Sequence, residues 1–113
     1  MPTESIVLRI HRRRWALTQR ELASLLGISS VHHVSRVERS RSAPGVRFVL
    51  ASEIVFGIHA RELFPKFFDE VEEEVVRNLF HFGERLKNNS SQSAARKRQL
   101  VDEALSRATV SGK

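Results

Sequence analysis

The amino-acid sequence predicts an all-α protein: five short helices, then a long amphipathic helix and a shorter C-terminal helix. Apolar residues recur at three- and four-residue spacing almost throughout, as one face of a helix requires. No run alternates apolar and polar residues with the period of two that marks a half-buried strand. Glycine and proline, five and three in 113 residues, fall mostly between the apolar groups. There is no cysteine, so neither a disulfide framework nor a thiolate metal site holds the chain together. A hydrophobic content of 41% permits a modest apolar core in one domain with an appendage.

The first helix is expected over Glu4 to Arg14, with Ile6, Leu8, Ile10 and Trp15 as apolar contributors. Trp15 reads as a core or domain-edge residue. Thr18 followed by Glu21 forms a capping box that opens a second helix, whose buried face is Leu22, Ala23, Leu25 and Leu26. Gly27 stands where a left-handed stop belongs. Two turns of helix do not persist alone in water, so packing must fix this element. Ile28, Ser29 and Ser30 form the connection, and either serine is placed to cap a third helix reaching about Arg39. Val34 and Val37 point inward on it, with Val31 a turn earlier. "SRSAPG" is a loop, because serine, proline and glycine disfavour continued helix. A fourth helix spans about Val46 to Phe56 and stops at Gly57. A short fifth, near Ala60 to Phe64, is expected to end at Pro65.

From Lys66 to Lys87 the pattern changes. Phe68, Val71, Val75, Leu79, Phe82 and Leu86 form a seam close to a heptad repeat, flanked by Val76 and Phe80. That seam is the candidate homodimer interface. The acidic run Asp69 to Glu74 is a solvated helix start, favoured by the macrodipole; calcium loops need glycine and alternating oxygen ligands that it lacks. "NNSSQS" is a polar linker, and the last helix covers roughly Ala94 to Arg107, burying Val101, Ala104, Leu105 and Ala108. Residues 1–65 thus read as one domain and 66–113 as a helical extension.

The net charge of +6 is segmental. Residues 1–47 carry nine arginines against Glu4, Glu21 and Glu38; residues 53–86 sum to −4 and residues 87–113 to +4. A concentrated basic segment beside an acidic one points to a polyanion-binding face on a molecule with a second task elsewhere. No Trp/Phe-rich face opposes the arginines as a membrane-surface helix would require, and "SIVLRIHRRRW" reverses the order of a signal peptide. The chain is expected to be soluble and cytoplasmic. No nucleophile-elbow or phosphate-loop glycines accompany its serines, histidines and acids, so it is not read as an enzyme and no cofactor is implied.

A short helix, a tight glycine turn and a second short helix within a basic segment is a helix-turn-helix arrangement. "LTQRELASLLGIS", "VSRVERSR" and "APGVRFVLASEIVFGIHARELF" together resemble the DNA-binding domain of Cro/phage-repressor (XRE-type) regulators, over about Leu8 to Phe64. The resemblance implies five helices with the third in the major groove of double-stranded DNA. It implies base readout from Val31, His32, His33 and Arg36, arginine suiting bidentate contact with guanine. Phosphate contacts are implied for Gln19 at the start of the second helix, and expected from Arg13, Arg14, Ser30, Arg39 and Arg41. Arg12 and Glu38 match positions that pair as a structural ion pair in many relatives.

Four departures stand out. The Gly27–Val34 segment is one residue longer than the common pattern, which re-aims Val31, His32 and His33 relative to Arg36. Ser40 replaces a usual glycine, Gly45 stands where a capping serine is common, and Glu53 stands where relatives often place alanine, needing a partner the sequence does not name. The adjacent histidines do not suggest a metal site, since neighbouring helical residues point about 100° apart. The function implied is a sequence-specific transcriptional regulator occupying an operator as a homodimer. The competing reading is an antitoxin-like or adaptor module whose C-terminal helices bind another protein.

Overall fold

The computed structural model describes residues 3–111, with side chains for residues 7–108. It is all-helical, with no strand among the described residues: α1 (Thr3–Arg14), α2 (Gln19–Leu26), α3 (Val31–Glu38), α4 (Val46–Phe56), α5 (Ala60–Leu63), α6 (Pro65–Arg85) and α7 (Gln92–Ser111). None of these helices is long and apolar enough to cross a membrane. The chain divides into two compact units, Met1–Asp69 and Glu70–Lys113, with the division inside α6.

The first unit is built around one apolar cluster of Leu8, Leu22, Ala23, Leu26, Val34, Val37, Phe48, Leu63 and Phe64. Each of α1 to α5 contributes to it or is joined to it by contacts, α2 packing on both α3 and α4, and α1 on both α3 and α5. The T-shaped meeting of Phe48 and Phe64, with centroids 6.1 Å apart, closes the cluster near α5. Short helices that are marginal in isolation are stabilised here by burial of their apolar stripes.

Three of these helices stop in the same way. The amide of Leu17 donates to the Arg12 carbonyl (3.1 Å), that of Ile28 to Ala23 (2.9 Å) and that of Arg41 to Arg36 (2.8 Å). In each case the preceding residue is left-handed: Ala16 (φ 59°), Gly27 (φ 72°) and Ser40 (φ 60°). This is the Schellman ending, in which a left-handed residue lets two amides turn back onto orphan carbonyls. Only the middle one uses glycine. At Gly27 a side chain would also run into the Arg47 guanidinium, whose Nε donates to the Leu26 carbonyl (3.3 Å).

The start of α2 is the capping box: Thr18 Oγ1 accepts from the Glu21 amide (3.0 Å) and Glu21 Oε1 from the Thr18 amide (2.9 Å). Ser30 takes the capping position of α3 but makes no side-chain capping bond. Several residues depart from the sequence expectation. Leu8 and Arg12 define the buried stripe of α1, so Ile10, half a turn away, is exposed, and Trp15, beyond the helix end, is 66% exposed. Leu25 lies off the Leu22–Ala23–Leu26 stripe and is likewise exposed. Ile6 lies outside the described side chains. Pro65 does not merely end α5; it is the first residue of α6, where its missing amide costs nothing because that amide has no intrahelical partner.

In the second unit α6 and α7 form a hairpin. Leu86, Ala94 and Val101 are its buried apolar residues, with Val101 packed beside Gly83 of α6. Arg98 crosses back from α7, its Nη1 donating to the carbonyls of Leu86 (2.8 Å) and Asn89 (2.7 Å) beyond the end of α6. Ser91 Oγ accepts from the Ala94 amide (3.2 Å), so α7 starts at Gln92, two residues before the expected Ala94, and it runs on past Arg107 to Ser111.

Candidate nucleic-acid interface

The site is organised by a polar lock between α1, α2 and α3. Arg12 and Glu38 are 7% and 4% exposed. Arg12 Nε donates to Glu38 Oε2 (2.6 Å) and Nη2 to Oε1 (3.1 Å), a two-pronged pairing. Arg12 Nη1 donates to the Leu17 carbonyl (2.7 Å), and Gln19 Nε2 donates to Glu38 Oε1 (2.9 Å). The Glu38 carboxylate therefore receives three donors from two helices, and the end of α3 is tied to both the end of α1 and the start of α2. This satisfies charges that would otherwise be costly to bury. Gln19 enters the lock through one of its amide hydrogens and retains a second for an outside acceptor.

The lock fixes which way α3 faces. Val34, Val37 and Glu38 are buried, so His32 and Arg36, four residues apart, form its outward stripe. His33 does not join them. Its ring meets Phe48 edge-on with centroids 5.4 Å apart, and it is half-buried. Val31 and Ser30 are half-buried at the opening of the helix. Of the four side chains expected to read bases, the fold thus turns His32 and Arg36 outward, applies His33 to its own core and leaves Val31 partly covered.

The remaining cations are distributed around this stripe in sequence. Arg13 and Arg14 are exposed at the end of α1, and Arg39 and Arg41 are exposed after α3. Arg12, the first of the three consecutive arginines, is the one withdrawn into the lock. Two contributors were not anticipated from sequence. Arg47 is an exposed cation held at the end of α2 by the Leu26 carbonyl, and Ser42 Oγ accepts from Arg36 Nε (3.3 Å). Arg47 joins residues 21 positions apart and had no local signature; the Ser42 contact depends on the Ser40 turn. Chemically the surface offers fixed N–H donors and positive charge, which suits phosphate and base-edge acceptors.

Elsewhere, Glu53 Oε2 lies 3.3 Å from His59 Nδ1, which supplies the partner that carboxylate lacked in the sequence. Among the described residues no group of three or more His, Asp or Glu side chains is arranged to hold a metal ion. Along the α6 seam, Phe68 lies under the Arg61 guanidinium, 4.0 Å from its centroid, while Val71 and Val75 are each 46% exposed. Leu79 and Phe82 are half-buried, and Leu86 is buried where the chain turns towards α7. No protein-family model, characterised protein or solved structure matches the chain.

Proposed function

We propose that the chain is a sequence-specific, double-stranded DNA-binding transcriptional regulator of the Cro/repressor-like, XRE type, acting as a homodimer that occupies an operator. The observation that carries this reading is the outward stripe of α3. A helix-turn-helix unit, α2 and α3, is braced so that His32 and Arg36 face solvent within a segment of nine arginines. In this reading α3 enters the major groove and Arg36 reads guanine. Gln19, Arg13, Arg14, Arg39 and Arg41 contact phosphates, with Ser30 at the groove edge.

The second unit supports the dimer. A hairpin whose buried apolar residues are Leu86, Ala94 and Val101 has little core of its own, and Val71 and Val75 expose apolar surface along one helix. Pairing that surface would join two reading units in one molecule, as recognition of two half-sites requires. The same exposed surface also suits a different protein, as an antitoxin-like module would use it. Light scattering of the isolated chain separates the two: a dimer in the absence of any partner supports the regulator.

DNA binding is tested by selection from a library of randomised duplexes, with retention read by gel shift. Enrichment of a two-fold symmetric sequence supports the proposal. Retention without enrichment reduces the protein to a non-specific polyanion binder, and no retention at low salt removes DNA from its function.

A further inference from the structure

Resting on that reading, we infer that Ser42 is a positioning residue for base readout, which fixes the guanidinium of Arg36. The device begins at the end of α3. Ser40 adopts the left-handed conformation (φ 60°) in a place where glycine is the unstrained choice. The turn it makes sends the Arg41 amide back to the Arg36 carbonyl (2.8 Å), and the Ser40 amide to Val37 (3.0 Å). The chain therefore doubles back over the last turn of α3 rather than leaving along its axis. Two residues later Ser42 arrives beside the side chain of Arg36, six positions earlier, and its Oγ accepts from Nε (3.3 Å).

The choice of nitrogen matters. An arginine reads guanine with two parallel N–H groups aimed at O6 and N7. With Nε engaged by Ser42, the pair presented outward is Nη1 and Nη2, the end-on fork, and rotation about the last side-chain torsions is restrained. An exposed arginine otherwise samples many rotamers and loses that freedom on binding. A hydroxyl that holds Nε reduces this loss for the base contact alone. It adds no charge, so it leaves the phosphate contacts as they are. Ser40 and Ser42 would then act together: the strained turn delivers the hydroxyl, and the hydroxyl aims the reader. Backbone strain at such a turn is a known companion of functional geometry.

The test uses the full chain and randomised duplexes, comparing wild type with Arg36→Ala, Ser42→Ala and Ser42→Thr. Wild type is expected to enrich guanine at one position per half-site, and Arg36→Ala to abolish that enrichment. Ser42→Ala should lower it about three- to tenfold, a part of what a bidentate contact contributes. Preferences at other positions, the salt dependence on a fixed duplex and the melting temperature should stay at wild-type values. Ser42→Thr, which keeps the hydroxyl, should restore the guanine preference. Equal guanine enrichment by wild type and Ser42→Ala overturns the positioning role while leaving the regulator reading intact. A wild-type preference that Arg36→Ala does not alter overturns both the positioning role and Arg36 as the base reader. A wild-type protein that enriches no sequence overturns the positioning role and the regulator reading together.

Discussion

At Glu38 three hydrogen bonds converge on one carboxylate that is almost wholly removed from water. Breaking such a pair strands the remaining charge, which costs more than the intact pair contributes. Glu38→Ala is therefore expected to destabilise the first unit by about 3 kcal/mol or more, seen as a lowered melting temperature in the absence of any ligand. A wild-type melting temperature would show that Arg12 finds water or another partner. The sequence placed Arg12 and Glu38 at matching positions only through resemblance, and nothing in it showed that Gln19 would be the third member. That contact depends on how α2 is set against α3, which is tertiary. His33 teaches the same lesson: helical periodicity says which residues share a face, but its packing on Phe48 needs the position of α4.

Helix ends were more legible than helix faces, because caps are local. Thr18–Glu21 and the glycines at 27 and 57 act where their spacing in the sequence puts them, and the left-handed values of both glycines follow from residue type. The ends of α1 and α3 were harder to read, since Ala16 and Ser40 occupy a conformation that their side chains disfavour. Ala16→Gly should relieve that penalty of roughly 1–2 kcal/mol, offset by the greater freedom of glycine in the unfolded chain, roughly 0.5–1 kcal/mol. The net expectation is a gain between zero and about 1.5 kcal/mol, and a rise of up to several degrees in thermal midpoint. A drop would mean that another Ala16 contact outweighs the strain. Pro65 illustrates an ambiguous signal: proline both stops a helix and opens one, and here the Phe68 amide donates to the Phe64 carbonyl (2.9 Å) in the first turn of α6, which Pro65 opens.

On the scale of the molecule, positive and negative charge are segregated along the chain. The arginines concentrate in the first unit; the acidic run Asp69 to Glu74, expected at a helix start, lies past the first turn of α6, which opens at Pro65, so the macrodipole does little for it. The homodimer proposal predicts that Val75→Glu with Leu79→Glu gives a monomer by light scattering and leaves the melting of the first unit unchanged. A double variant that stays dimeric would exclude the seam as the interface. The all-helical character was legible because spacing alone carries it. What would pack on the seam was not, since an apolar stripe does not identify its partner.

The phosphate contacts predict their own signature. Arg13, Arg14, Arg39 and Arg41 from each of two protomers give a slope of log affinity against log salt of about −7. This measures the electrostatic footprint but not the reading of sequence. The direct measurement is a footprint of the full chain on genomic DNA at moderate salt, repeated with Arg36→Ala. The account predicts discrete protected sites, each of two half-sites about one helical turn, or 10 base pairs, apart, lost from the Arg36→Ala pattern. Uniform protection with no discrete sites, or a pattern indifferent to Arg36, would contradict it.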